Sequence, residues 1–145
     1  MPGSIYTIGY EGKTFSSFLA NLKASQIDIL LDVRFTPWSH KADFSRKRLE
    51  AALLANGIHY VHAPQLGSAP ALRKQLRETD DWNSFASSYR EHLLGLNGQI
   101  EAAFLPFQGQ RVCLLCMEKD SKRCHRSLLA ECLEQVGLAT SAVNL

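Results

Sequence analysis

The chain has 145 residues, 46% of them hydrophobic and 21% charged, with a net charge of +2. These values exclude a largely disordered chain and a nucleic-acid binder driven by bulk charge, and they suit one domain that buries its core without disulfides. No apolar run approaches the roughly 20 residues of a membrane helix, and Met1 to Ser4 lack a signal peptide's charged and apolar regions, so the expected location is the cytoplasm and the four cysteines are expected as free thiols.

Ile5 to Ile8 is a β-favouring run stopped by Gly9, after which Phe15, Phe18, Leu19 and Leu22 recur at helical spacing. Ile29 to Val33 is apolar without alternation, as a parallel strand covered on both faces requires, and Asp32 and Arg34 break its end. Ser45 is placed to cap a helix bearing Leu49, Ala52 and Leu53, with Phe44 and Leu49 at staple spacing and Gly57 as its stop. A third strand follows at Ile58 to His62. Pro64 to Asp81 lacks clear periodicity and contains Pro64, Gly67 and Pro70, so it reads as a long loop of the kind that closes over a site.

Trp82, Phe85, Ala86, Tyr89, Leu93 and Leu96 mark a helix broken by Asn97 and Gly98, and Ile100, Ala103, Phe104 and Phe107 suggest another. Val112 to Cys116 is the fourth strand. Leu128, Leu129, Cys132, Leu133 and Val136 define a last helix ended by Gly137, and Thr140 to Leu145 can add an edge strand. Alternating strands and helices predict a single α/β domain over residues 1–145, a three-layer α/β/α Rossmann-like arrangement on a mainly parallel sheet of four or five strands. The simplest strand order is 3-2-1-4-5, with ligands expected at the carboxyl ends of the first and fourth strands.

The chemistry concentrates in LCMEKDSKRCHR, Leu115 to Arg126, which ends a buried strand and opens a helix. Unpaired N–H groups of a first helical turn favour anions and thiolates, so Cys124 beside His125 and Arg126 is a candidate nucleophile, and Cys116 is the other. Side chains two apart share a strand face, which brings Glu118 near Cys116; side chains three apart do not, so Cys113 is expected in the core, and Cys132 likewise. Asp32 and Arg34 share a face at the second strand's end, where Asp32 can orient Arg34 or act as a base and Arg34 can fork onto phosphate or carboxylate. Pro37 shapes the following turn, and Ser39 can bond a ligand or cap the loop. Cys116, Cys124 and His125 could supply three zinc ligands with Glu118 or Asp32, but the spacing fits no familiar zinc module, and no metal or cofactor is assigned. Dinucleotide, P-loop, cysteine-phosphatase and serine-hydrolase motifs are absent.

The motifs YTIGYEG, LLDVRFTPWS at Leu30 to Ser39, Gly57-Ile58 with Tyr60, Leu66-Gly67 and LCMEKDSKRCHR together resemble the uncharacterised DUF488 family over nearly the whole chain. The resemblance implies a small Rossmann-like domain, without naming a reaction. Members often carry His-Ser where this chain has Tyr10-Glu11, and a second glycine where Ser68 stands.

The expectation is a small cytosolic enzyme, a cysteine-dependent hydrolase or transferase, acting on an anionic substrate such as a nucleotide or nucleic-acid component. Cys116, Glu118, Cys124, His125 and Asp32 would do the chemistry, and Gly9, Tyr10, Arg34, Pro37, Ser39, Gly67 and Arg126 would bind the substrate. The alternative is a non-catalytic module for nucleic acid or a phospholigand, using basic groups at Lys41 to Arg48, Arg73 to Arg77 and Lys119 to Arg126 with exposed Trp38.

Overall fold

The computed structural model describes residues 3–96 and 98–145. Asn97, read with Gly98 as a helix break, lies outside the described residues. Five strands, β1 (Ile5–Gly9), β2 (Ile29–Asp32), β3 (His59–His62), β4 (Val112–Cys116) and β5 (Ala142–Asn144), form one parallel sheet. Its order is β3-β2-β4-β1-β5, which corrects the simple order expected from the sequence. β4 takes the centre because all five of its residues, VCLLC, are buried, whereas β1 carries Thr7 and a half-buried Tyr6. A strand apolar on both faces is most stable with a strand on either side and helices above and below.

The helices are α1 (Phe15–Ala24), α2 (Arg46–Ala55), α3 (Pro70–Thr79), α4 (Trp82–Leu94), α5 (Gln99–Phe104) and α6 (His125–Gln135). Helices α1 and α2 cover one face, where Phe18, Leu22, Leu49 and Leu53 pack on Ile8, Leu30, Cys113 and Leu115. Helices α4, α5 and α6 cover the other, where Phe85, Tyr89, Ile100, Leu129 and Leu133 meet Ile29, Leu31, Leu114 and Cys116. The two clusters take alternate residues of β2 and β4, the period-two signature of strands buried on both sides. Full burial of each core leucine contributes about 2 kcal/mol.

The chain between β3 and α4 departs from the expected long loop, because Pro70 to Thr79 is helical. Pro70 stands at the first turn, where its missing N–H costs nothing. Leu72 and Leu76, one turn apart, rest on the core, and Asp80 ends the helix in the left-handed region at φ 53°. The polar face of α3 therefore stands beside the carboxyl edge of the sheet. Strand register aligns that edge: Gly9 pairs with Cys116, and Asp32 with Leu115 and His62. The crossovers leaving β1 and β2 go to the α1/α2 face and the one leaving β4 goes to the α6 face, so the end of β4 opens between diverging loops.

Candidate functional site

Cys116 ends β4 and faces the α6 layer, where Cys124, at the N-cap of α6, meets it. The two sulfurs are joined as a disulfide, where free thiols were expected; Cys113 and Cys132 are free. Cys113 is fully buried on the opposite face of β4, and burial pushes its thiol pKa far up, so it is a core residue. Cys132 packs against the other cluster.

Around the sulfur pair, Glu118 Oε2 lies 3.2 Å from Cys124 Sγ, and His125 Nδ1 lies 4.0 Å from the same sulfur. The other ring nitrogen of His125, Nε2, is 2.8 Å from the Val33 carbonyl oxygen. Burial lowers the His125 pKa to about 4, and Arg73 and Arg126 push the same way, so the ring is neutral at pH 7. A neutral ring that donates from Nε2 to Val33 leaves its Nδ1 lone pair facing the sulfurs.

Arg126, 1% exposed, runs beneath the site. Its Nη1 donates to Cys116 Sγ at 3.3 Å and to the Glu118 carbonyl at 2.5 Å, its Nη2 to the Lys119 carbonyl at 3.4 Å, and its Nε to Thr7 Oγ1 at 3.3 Å. Burial lowers its pKa, against the opposing pull of Glu118. Arg34 is equally committed. Nε and Nη2 donate to the two Asp32 carboxylate oxygens at 2.8 and 2.7 Å, and Nη1 to the Phe44 carbonyl at 2.7 Å. Burial works against the Arg34 charge, but the hydrogen bonds and charge of Asp32 prevail and its pKa rises. The Tyr60 hydroxyl donates to Asp32 at 2.5 Å. Both arginines thus pin loops together, and the Asp32 carboxylate is occupied by Arg34 and Tyr60 rather than turned outward.

The glycines serve close approach. A Cβ on Gly9 would overlap the Glu118 carbonyl and sit 2.8 Å from Arg126 Nη1, and one on Gly67 would sit 2.6 Å from the Phe35 nitrogen. Ser39 Oγ accepts from Lys41 N, Ser45 Oγ closes the same loop onto the Ser39 backbone, and the Pro37 carbonyl accepts from Arg46 N. Tyr10 is buried against Phe44, ring centroids 4.6 Å apart, with Arg34 over its other side.

Two clefts flank the sulfurs. The larger, of about 350 Å³, is lined by Ser68, Arg73, Arg77, Arg123, Cys124 and His125 among others. The smaller, of about 40 Å³, has Tyr10, Arg34, Trp38, Arg73 and Cys116 on its walls; Met117, Glu118 and His125 border both. Arg123 is paired with Asp80 and lies over the Trp82 ring. Among the described residues, no acidic group lies within ion-pair distance of Arg73 or Arg77. The Ser68 hydroxyl, in a residue 2% exposed, has no hydrogen-bond partner among them either. Cys116, Glu118, Cys124, His125 and Arg126 are thus gathered at one point, with Asp32, Arg34, Gly9 and Tyr10 packed around it. Pro37, Ser39 and Gly67 are absent from the walls of both clefts. Ser68 is missing from the sequence-derived set, and Arg73 and Arg77 entered it only as a basic group of the alternative binding module; Leu72 and Leu76 at one-turn spacing after Pro70 were the signal for the helix that aims the two arginines.

Fold and site define a Rossmann-like α/β domain with a sulfur pair set between two clefts at the carboxyl edge of its sheet. The chain belongs to the DUF488 family, a domain of unknown function, whose family model matches residues 14–133. No curated protein and no solved structure matches the chain.

Proposed function

We propose that the protein is a small enzyme acting on an anionic substrate, with the larger cleft as its binding site and Cys124 as its reacting thiol. The observation that carries this is the meeting of Arg73, Arg77 and Ser68, whose hydroxyl has no partner among the described residues, with Cys124 in one cleft. A buried hydroxyl without a partner costs about 1–3 kcal/mol, which a ligand oxygen would recover. Arg73 and Arg77, unpaired although Asp80 and Glu118 line the same cleft, supply the field for a phosphate or carboxylate, and a nucleotide or nucleic-acid component is the substrate class we favour.

The disulfide is the oxidised, unreactive state. Two electrons and two protons from a dithiol reductant restore both thiols, a condition met in the cytoplasm, where we place the protein. Glu118 then takes the Cys124 proton across 3.2 Å, helped by the helix N-terminus on which the sulfur sits. The thiolate attacks the electrophilic atom of the bound substrate and expels its leaving group, to which Glu118 returns the proton; water in a hydrolase, or a second acceptor in a transferase, then takes the group from sulfur and releases the Cys124 thiol.

The test uses reduced, chelator-treated protein and mass-spectrometric alkylation with iodoacetamide. Cys124 should alkylate faster than free cysteine at neutral pH, and pyrophosphate or a nucleoside triphosphate should slow it in the native sequence but not in Arg73→Gln/Arg77→Gln. Alkylation no faster than free cysteine, with no protection by either anion, would overturn the proposal. Salt-sensitive retention of nucleic acid that survives Cys124→Ser and accompanies no turnover would mark a binding module instead.

A further inference from the structure

We infer that Cys116, Cys124 and His125, once the sulfurs are reduced, form a binding site for one divalent transition-metal ion of the zinc type, with Glu118 at its fourth position. The two Sγ atoms and a ring nitrogen of His125 all lie within 4.8 Å of one another, and all three residues are buried. A tetrahedral zinc ion with bonds of about 2.3 Å to sulfur and about 2.0 Å to nitrogen holds these atoms roughly 3.3–3.8 Å apart. Reduction of the sulfur–sulfur bond followed by side-chain rotation leads from the present arrangement to that one. The Cα atoms of the cysteines stand 7.6 Å apart, wider than the roughly 4.4–6.8 Å usual for a disulfide, so the backbone presents two facing sulfurs with room for an ion between them.

The surroundings match what such a site needs. Ligating histidines almost always donate their second ring N–H to a carbonyl or carboxylate, which fixes the tautomer, and the Val33 carbonyl at 2.8 Å from Nε2 is that partner. Arg126 Nη1 donates to Cys116 Sγ at 3.3 Å, placing a buried positive charge against a thiolate. Glu118 Oε2, 3.2 Å from Cys124 Sγ, can complete the coordination or face a bound water. Two thiolates and an imidazole select zinc or cobalt over magnesium or calcium, which take oxygen donors. The spacing escapes ordinary zinc patterns because one sulfur comes from a strand end and the other from a helix N-cap.

This inference does not rest on the substrate proposed above. Metal-bound and free thiols are alternative states of the same sulfurs, so a loaded site masks Cys124 and sets a Lewis acid beside Arg73 instead.

The experiment starts from anaerobic, phosphine-reduced protein freed of metal, with a thiol assay confirming that all four cysteines are reduced. Cobalt(II) should bind at one equivalent, giving thiolate-to-cobalt charge-transfer absorption and tetrahedral visible bands that zinc abolishes. Cys116→Ser and Cys124→Ser should each weaken binding by at least about tenfold and reduce the charge-transfer intensity, Glu118→Gln should weaken it less, and Cys132→Ser should leave it unchanged. Should the buried-cysteine variants fail to fold, alkylation mapping of the native sequence decides: zinc should protect Cys116 and Cys124 and leave Cys132 as reactive as before. No charge-transfer band, a band undiminished in folded Cys124→Ser, or equal alkylation of Cys116 and Cys124 with and without zinc would overturn the inference. A silent cobalt titration beside anion-protected alkylation would sink the metal site and leave the proposed function standing.

Discussion

Asp32→Asn separates a structural carboxylate from a catalytic one. Asp32 is fully buried and accepts from Arg34 Nε, Arg34 Nη2, the Arg34 backbone N–H and the Tyr60 hydroxyl. The asparagine keeps the volume but removes the charge and turns one acceptor into a donor, leaving a guanidinium in a residue only 4% exposed without its counter-ion. Removing one partner of a buried pair costs about 3–5 kcal/mol, a large part of the roughly 5–15 kcal/mol that holds a domain together. At about 2–4 °C per kcal/mol, the melting temperature should fall by roughly 6–20 °C. Urea unfolding of native sequence, Asp32→Asn, Arg34→Met and the double variant makes a cycle in which the double variant should be more stable than Asp32→Asn alone, because no orphan charge remains. A loss below about 1 kcal/mol for Asp32→Asn, or a double variant no better than the single one, would refute the counter-ion role of Asp32.

Gly9→Ala should destabilise by about 1–3 kcal/mol, since the new methyl meets the Glu118 backbone, whereas Gly12→Ala, with open space and φ 77°, should cost only about 1 kcal/mol; equal urea midpoints would contradict the close approach. Ser68→Ala removes an unpartnered hydroxyl and should leave stability unchanged or raise it by up to about 1 kcal/mol while weakening anion protection of Cys124, and a clear loss of stability would mean the hydroxyl already has a partner. Burial and, for Tyr60, the Asp32 charge raise the pKa values of Tyr60 and Tyr89 well above 10. Above pH 10 the unfolded chain therefore binds fewer protons than the folded one, so stability should fall as pH rises, and part of the phenolate absorbance should appear only on alkaline unfolding. Complete tyrosine ionisation near pH 10 with native circular dichroism would contradict this.

Strand positions were readable because both faces of the sheet are covered: unbroken apolar runs at Leu30 and Leu114 admit few alternatives. Their order was not, since pairing depends on which run tolerates neighbours on both sides, and only comparison of Thr7 and Tyr6 in β1 with the wholly apolar β4 reveals it. Pro70 hid α3 by resembling a breaker when it is an initiator, so Arg73 and Arg77 read as a basic group on a loop rather than as one face of a helix. The converging sulfurs were visible in part, as two thiols of one loop, but their contact depends on Cys116 facing the α6 layer.

The arginines divide by burial, and that division bears on what the cleft can do. Arg34 and Arg126 spend their donors on Asp32, on carbonyls of neighbouring loops and on Cys116 Sγ, so they set the distance between the loops after β1, β2 and β4. Arg73 and Arg77 project from one face of a helix and keep their donors. A guanidinium locked by a buried carboxylate is expensive to redirect, since any ligand must compete with a desolvated pair; an unpaired one at a cleft wall surrenders only water. Under the proposed function, specificity for an incoming anion would therefore belong to α3, while the two buried arginines keep the sulfurs where that anion would arrive.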